Sequence, residues 1–167
     1  MSRYPVIARF LILLSTAFFL SHATAENHKD MIFRCAIGKN REMTVFKSAT
    51  LDQNDIELTY ESKGKTGTEM RISEKAPIKE FKKFSYNHYS RYQTNYIRIN
   101  FISSDYEYSV YSDYDANLPI KEERGVIVTK RSTGDETKIK CSTSDIDKLE
   151  EMSAILNCNQ NSALGCQ

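Results

Sequence analysis

The chain has 167 residues, of which 27% are charged and 40% hydrophobic, and its formal net charge at pH 7 is only +1. This length fits one domain preceded by a short leader. Because positive and negative charges balance, the sequence gives no electrostatic footprint for nucleic acid or for an anionic membrane surface, and we expect neither as a partner.

The N-terminal segment has the pattern of a secretory signal peptide. Two arginines come first, an apolar run covers residues 10–20, and the Ala-Thr-Ala of residues 23–25 is a small-x-small cleavage signal. The apolar run is shorter than the roughly 20 residues that a membrane-spanning helix needs. We predict cleavage after Ala25, one exported domain over residues 26–167, and no stable membrane insertion.

All four cysteines follow the predicted cleavage point. An even number of cysteines in an exported chain indicates disulfides, and four cysteines allow three connectivities. Cys158 and Cys166 lie close together in sequence, so we predict that they close a small C-terminal loop. Cys35 and Cys141 would then tie the first predicted strand to the last.

Period-two alternation of apolar and polar residues predicts that most of the exported chain is β-strand. The triplet Gly38-Lys39-Asn40, the loop of residues 62–67, the residues around Ser104 and the segment "RSTGD" separate these strands as turns, and residues 113–125 form a polar loop. The predicted strands lie at residues 31–37, 43–46, 56–60, 70–72, 97–101, 106–110, 125–128 and 137–141.

The end of the chain changes from a strand period to a helical one. Thr143 or Ser144 is placed to cap a helix, which should end near Asn157. Its predicted acidic first turn holds Asp145 and Asp147, and its predicted helical face consists of Ile146, Leu149, Met152 or Ser153, and Leu156. The predicted fold is therefore mainly β: a single antiparallel β-barrel or sandwich of about eight strands, crosslinked by disulfides, with one C-terminal helix packed across an opening.

Motifs of catalysis are absent from the sequence. It has no Gly-x-Ser-x-Gly, no phosphate-binding glycine loop, no His-Glu-x-x-His and no Cys-x-x-Cys. His88 could form a triad only with Asp105 or Glu107 and a serine, and a lone histidine among tyrosines is more often structural. We expect a non-enzyme without metal or cofactor.

Eight of the ten tyrosines fall between Ser85 and Asp115, which makes this segment the densest candidate for binding. Tyrosine and arginine are enriched where proteins recognise proteins, although tyrosine also suits a half-exposed sheet face. From Tyr96 onward the alternation assigns the tyrosines to a hairpin. Before it, tyrosines recur every third residue, which favours an irregular or bulged segment or a short helical turn. The predicted partner-binding residues are Tyr86, His88, Tyr89, Arg91 and Tyr92.

A series of short motifs, in a fixed order, resembles a widespread group of small exported β-rich proteins of Gram-negative bacteria. The motifs are "CAIGKN", "IELTY", "FSYNHYSRYQT", "YEYSVYSDYD", "GVIVTK" and "CNQNSALGC". The resemblance implies a periplasmic location and supplies no catalytic residues. The format is also similar to that of periplasmic immunity proteins and lysozyme inhibitors.

Together these features predict a periplasmic protein-binding module that neutralises a partner by occlusion. The expected partner is a cell-wall-degrading toxin or a lysozyme. The alternative is a non-enzymatic ligand-binding or envelope-structural β-barrel protein, with a pocket lined by Tyr96, Tyr106 and Tyr108.

Overall fold

The computed structural model describes residues 29–50 and 54–166, so the predicted signal peptide lies outside the described residues. The described chain forms ten strands and one short 3₁₀ helix. Among the described residues we find no helix that could span a lipid bilayer. The elements are β1 (Lys29–Ile37), β2 (Arg41–Ala49), β3 (Asp55–Gly64), β4 (Gly67–Pro77), β5 (Phe84–Arg91), β6 (Thr94–Ser103), β7 (Tyr106–Asp115), β8 (Glu122–Lys130), β9 (Glu136–Lys140), β10 (Thr143–Asp147) and the 3₁₀ helix (Leu149–Ala154).

The strands form two antiparallel five-stranded sheets, which confirms the predicted fold class. Sheet 1 has the order β10-β1-β2-β3-β4, and sheet 2 has the order β5-β6-β7-β8-β9. The arrangement is a sandwich and not a closed barrel, because β4 and β5 are edges that do not pair with each other. The two strands beyond the predicted eight are β5 and β10.

One strand passes from sheet 2 to sheet 1 at Cys141. The amide of Cys141 donates to the carbonyl of Arg124 in β8 (2.8 Å), and the next amide, of Ser142, donates to Ala36 in β1 (2.7 Å). β9 and β10 therefore act as one strand with a bend that forms a corner of the sandwich. The predicted Cys35–Cys141 disulfide is confirmed and fixes this corner, with the two Cα atoms 5.2 Å apart.

The predicted C-terminal helix is much shorter than expected, because its first residues form β10. Phe33 pairs with Asp147 and Ala36 pairs with Thr143, so β10 completes the edge of sheet 1. The hydroxyl of Ser144, predicted as a helix cap, instead donates to the carbonyl of Arg34 (2.8 Å). Pairing with the free edge of β1 thus outweighs a weak helical signal, as tertiary context often does.

The core lies between the two sheets and is rich in aromatic rings. Phe101 of sheet 2 packs against Tyr60 of sheet 1, with ring centroids 4.6 Å apart, and stacks on Tyr108 at 5.1 Å. Leu149 and Met152 of the 3₁₀ helix are fully buried at the periphery of this core. Of the predicted apolar positions of the C-terminal segment, Leu149, Met152 and Leu156 are buried and Ile146 is half-buried, although the segment is not an α-helix.

Candidate functional site

The predicted binding segment is a regular edge strand, not the irregular or helical segment that its spacing suggested. Phe84 pairs with Phe101, and the pairing with β6 continues without a shift to Arg91 opposite Thr94. Alternation therefore divides four of the five predicted residues between the two faces of sheet 2, and Tyr92 lies in the turn that follows. Tyr86 and His88 face the core side, and Tyr89 and Arg91 face outward.

Tyr86 is not available to a partner, since it is only 3% exposed and packs in the core. Its burial raises the pKa of its hydroxyl to about 12. His88 is half-buried, and its Nε2 lies 2.5 Å from Oδ1 of Asn95 on the neighbouring strand. His88 stands opposite Ile97, whereas Glu107 stands opposite Ile102 and Asp105 lies in the turn between β6 and β7, so His88 is five or more residue positions away from either candidate carboxylate along β6.

The free edge of β5 is covered by the C-terminal loop, residues 157–166. The amide of Tyr86 donates to Asn157 (2.8 Å), and the amide of His88 donates to Gly165 (3.1 Å). The side-chain amide of Asn87 also donates to Gly165 (3.0 Å). The predicted Cys158–Cys166 disulfide is confirmed and closes this loop. The tail thus protects an edge strand that would otherwise present unpaired backbone groups.

Exposed apolar residues gather at one end of sheet 2. Tyr92 in the β5–β6 turn is 88% exposed, and Leu118 and Ile120 in the β7–β8 loop are 52% and 65% exposed. The turn and the loop are joined by a hydrogen bond from the amide of Ala116 to the carbonyl of Gln93 (2.9 Å). We name Tyr92, Leu118 and Ile120 the apolar patch. Such a cluster marks an interaction surface more often than scattered apolar residues do.

Beside the apolar patch, the outer face of sheet 2 carries a groove of about 550 Å³. We name it the outer groove. Charged side chains from β6 to β9 line it, together with Tyr96, the apolar residues of the β7–β8 loop and Leu164 of the C-terminal loop. The charged residues on its strands are Arg98, Asp113, Asp115, Glu123, Lys138 and Lys140.

Among the strand residues of the outer groove, the cations lie on the two flanking strands, β6 and β9, and the carboxylates lie on β7 and β8 between them. The two terminal guanidinium nitrogens of Arg98 donate to the two carboxylate oxygens of Asp113, with the Nη2–Oδ2 distance 3.0 Å. Lys138 and Lys140 both pair with Glu123. Burial raises the pKa of Glu123, but the hydrogen bonds from Lys138 and Lys140 outweigh this effect and lower the pKa to about 2. Glu123 is therefore ionised at neutral pH.

Tyr111 lies beneath these charges and is fully buried, although it belongs to the outer face. Its ring contacts the guanidinium of Arg98 (5.2 Å) and the ammonium of Lys138 (4.6 Å), which are cation–π distances. The ring fits because the residue opposite it on β8 is Gly125, where an added Cβ would lie 2.8 Å from the ring. The glycine of the "GVIV" strand thus makes room for the tyrosine that supports the groove.

The sequence did not predict the outer groove, because its residues come from four strands and two loops. The sequence predicts one polar loop over residues 113–125, yet Asp113 and Asp115 belong to β7 and Glu123 belongs to β8. The connecting loop is only residues 116–121. The glycine before an apolar strand was the one local sign of a close approach.

The three tyrosines of the alternative pocket do not share one cavity. Tyr108 lines a cleft of about 340 Å³ between the two sheets, together with Tyr60, Met43 and Met70. Tyr96 lines the outer groove on the opposite face, and Tyr106 is exposed. The predicted alternation, with Tyr96 opposite in direction to Ile97 and Tyr111 opposite to Val110, is confirmed.

Within the described residues, no group of three or more His, Cys, Asp or Glu side chains is arranged to hold a metal ion. Comparisons with protein-family models, curated proteins and solved structures gave no significant match.

Proposed function

We propose that this protein is an exported, periplasmic protein-binding module without enzymatic activity. The observation that carries the proposal is the apolar patch: Tyr92, Leu118 and Ile120 are more than half exposed on two turns that a hydrogen bond holds together. Preorganised apolar and aromatic side chains dominate the binding energy of protein interfaces. Two disulfides are compatible with an oxidising compartment such as the periplasm.

The proposed action is occlusion of a partner's active site. The β7–β8 loop carries Leu118, Pro119 and Ile120 at one end of sheet 2, and a hydrogen bond from the amide of Asp115 to the carbonyl of Lys121 closes its base. Tyr89 and Arg91 on the outer face, with Tyr92 beside the loop, extend the same end of the molecule. The proposed partner is a cell-wall-degrading toxin or a lysozyme, whose substrate cleft such a loop would fill.

A pull-down from envelope extract tests this proposal with a matched pair of variants. Replacing Leu118 and Ile120 together by Asp should weaken partner binding about thirtyfold or more, as loss of interface hot spots does. The control is Ile78→Asp, since Ile78 is 53% exposed in the β4–β5 connection and lies outside the apolar patch. The control should retain the partner.

The captured partner, once purified, should lose its peptidoglycan hydrolysis when one equivalent of this protein is added. An immunity protein is usually encoded beside its toxin. Protection of growing cells against the product of the adjacent gene would therefore support a toxin as the partner. Finding no stable protein partner, together with no growth protection, would refute it.

A further inference from the structure

The outer groove has more positive than negative charge available to a ligand. Four cations and three carboxylates line it. Asp113 is engaged by Arg98, Glu123 by two lysines, and Asp115 accepts hydrogen bonds from Tyr96 and from the amide of Asn117. The carboxylates are therefore already satisfied by the protein.

The lysines are not satisfied to the same degree. An ammonium group has three donors, whereas Lys138 and Lys140 share the single carboxylate of Glu123 as their close partner. Lys138 lies farther, at 3.9 Å, from Asp113. Lys121, at the end of the β7–β8 loop, makes no ion pair with any described residue. Several N–H donors thus remain free for an acceptor in the groove.

The remaining lining of the groove is apolar. Leu118, Pro119 and Ile120 contribute from the β7–β8 loop, and Leu164 contributes from the C-terminal loop. A volume of about 550 Å³ lies within the range of roughly 300–1,000 Å³ that small-molecule sites occupy. The groove therefore combines an apolar wall with a floor rich in free donors.

Both parts of this lining are held in place before any ligand arrives. The buried ring of Tyr111 positions Lys138 and Arg98. The β7–β8 loop is closed by a hydrogen bond from the amide of Asp115 to the carbonyl of Lys121 (2.8 Å), and Asn117 binds back to Asp115. Leu164 is carried by the loop that the Cys158–Cys166 disulfide closes. Preorganisation of this kind reduces the entropic cost of binding.

We propose that the outer groove binds an amphipathic organic anion, that is, a small molecule with a carboxylate or phosphate head and an apolar body. The head would accept hydrogen bonds from Lys138, Lys140 and Lys121, and the body would lie against Leu118, Ile120 and Leu164. This inference goes beyond the proposed function, since it concerns a small molecule whose head contacts charged residues outside the apolar patch, although Leu118 and Ile120 belong to both surfaces.

Titration calorimetry and two-dimensional NMR of the purified protein test the inference with four probes. Octanoate and octyl phosphate should each bind with a stoichiometry of one, and they distinguish a carboxylate head from a phosphate head. Octylammonium, which has the same body and the opposite charge, should not bind. Inorganic phosphate, which lacks the body, should bind at least about tenfold more weakly than octyl phosphate. The shifted NMR signals should belong to residues of the outer groove.

Two variants test the contacts with the ligand's charged head and with its apolar body separately. Lys140→Met should weaken octanoate binding about tenfold, the usual worth of one charge-assisted hydrogen bond, while Lys82→Met at an exposed position on the β4–β5 connection should leave it unchanged. Leu164→Ala should weaken octanoate but not inorganic phosphate, and it disturbs no ion pair. Equal binding of octanoate and octylammonium would overturn the inference. So would NMR shifts confined to the cleft lined by Met43, Tyr60 and Met70.

Discussion

Gly125 and Tyr111 face each other on neighbouring strands, and each depends on the other. A Cβ on Gly125 would lie 2.0 Å from the backbone oxygen of Ile139 and 2.8 Å from the Tyr111 ring. Because backbone cannot move aside easily, we expect Gly125→Ala to lower the free energy of unfolding by about 3 kcal/mol, measured by urea denaturation.

The control for this change is Gly134→Ala, at a turn where the Cβ would meet open space but φ is +78°. Only backbone strain acts there, so the expected loss is about 1 kcal/mol. Equal losses at the two positions would show that the close approach between Gly125 and Tyr111 does not matter for stability.

Glu123 should give the stability of the protein a distinct acid dependence. Its pKa falls from an ordinary value of 4.5 to about 2 on folding, because Lys138 and Lys140 favour the ionised form more than burial opposes it. A depressed pKa stabilises the fold above the unfolded-state value, and that contribution is lost as the pH falls through the folded-state value.

Wild-type protein should therefore be more stable than Glu123→Gln at pH 6, and the difference should shrink as the pH falls from about 4.5 to about 2. Urea denaturation over this pH range measures the difference. Glu80→Gln, at an exposed position, controls for the general effect of removing one carboxylate. A difference that does not vary with pH would contradict the assignment.

At the scale of elements, the C-terminal loop covers the edge of sheet 2 at β5, in the position that a sixth strand would occupy. The amides of Tyr86 and His88 bond to this loop, whereas the amide of Asn87 points toward β6 because strand amides alternate. In a variant with Cys158 and Cys166 both replaced by Ser, hydrogen exchange should speed up about tenfold or more at Tyr86 and His88.

Exchange at Asn87 should change much less in the same variant, so one strand supplies both the test and its control. Uniform acceleration along β5 would mean that the whole strand, and not only its covered edge, depends on the disulfide.

Strands with clear alternation were predictable from sequence. Strands whose formation depends on a neighbouring strand or loop were not. Ile97, Ile99 and Phe101 marked β6 and its buried face directly, because the face of a strand is encoded by its own residues. β5 carries tyrosines on both faces, and its strand form comes from β6 on one side and the C-terminal loop on the other. β10 likewise forms because the edge of β1 is free.

The positions of the predicted binding residues on sheet 2 were only partly predictable for the same reason. Tyr92 is the most exposed residue of the apolar patch, and Tyr89 and Arg91 face outward near it. Tyr86 is buried, and the spacing of the tyrosines did not indicate which face of the sheet it occupies. Leu118 and Ile120 went unnoticed in a loop, where a single exposed apolar residue carries no periodic signal.

At the scale of the whole molecule, the two disulfides should contribute unequally to stability. Cys35 and Cys141 are 106 residues apart, and Cys158 and Cys166 are only 8 apart. The chain-entropy model gives about 5 kcal/mol for the long loop and about 2.5 kcal/mol for the short one.

Urea denaturation of the two double-serine variants under non-reducing conditions measures this difference. The variant lacking Cys35–Cys141 should be the less stable of the two. The reverse order would show that the covering of β5 contributes more than the corner between the sheets.

The order of the strands also implies an order of events in time. Each sheet is a meander in which neighbouring strands follow one another along the chain, except that β1 must find β10 across more than a hundred residues. Short loops close early and long ones late, so the hairpins should form before this last pairing. Until then β1 has an exposed edge, and a newly synthesised chain would be most prone to aggregate with other chains during that interval.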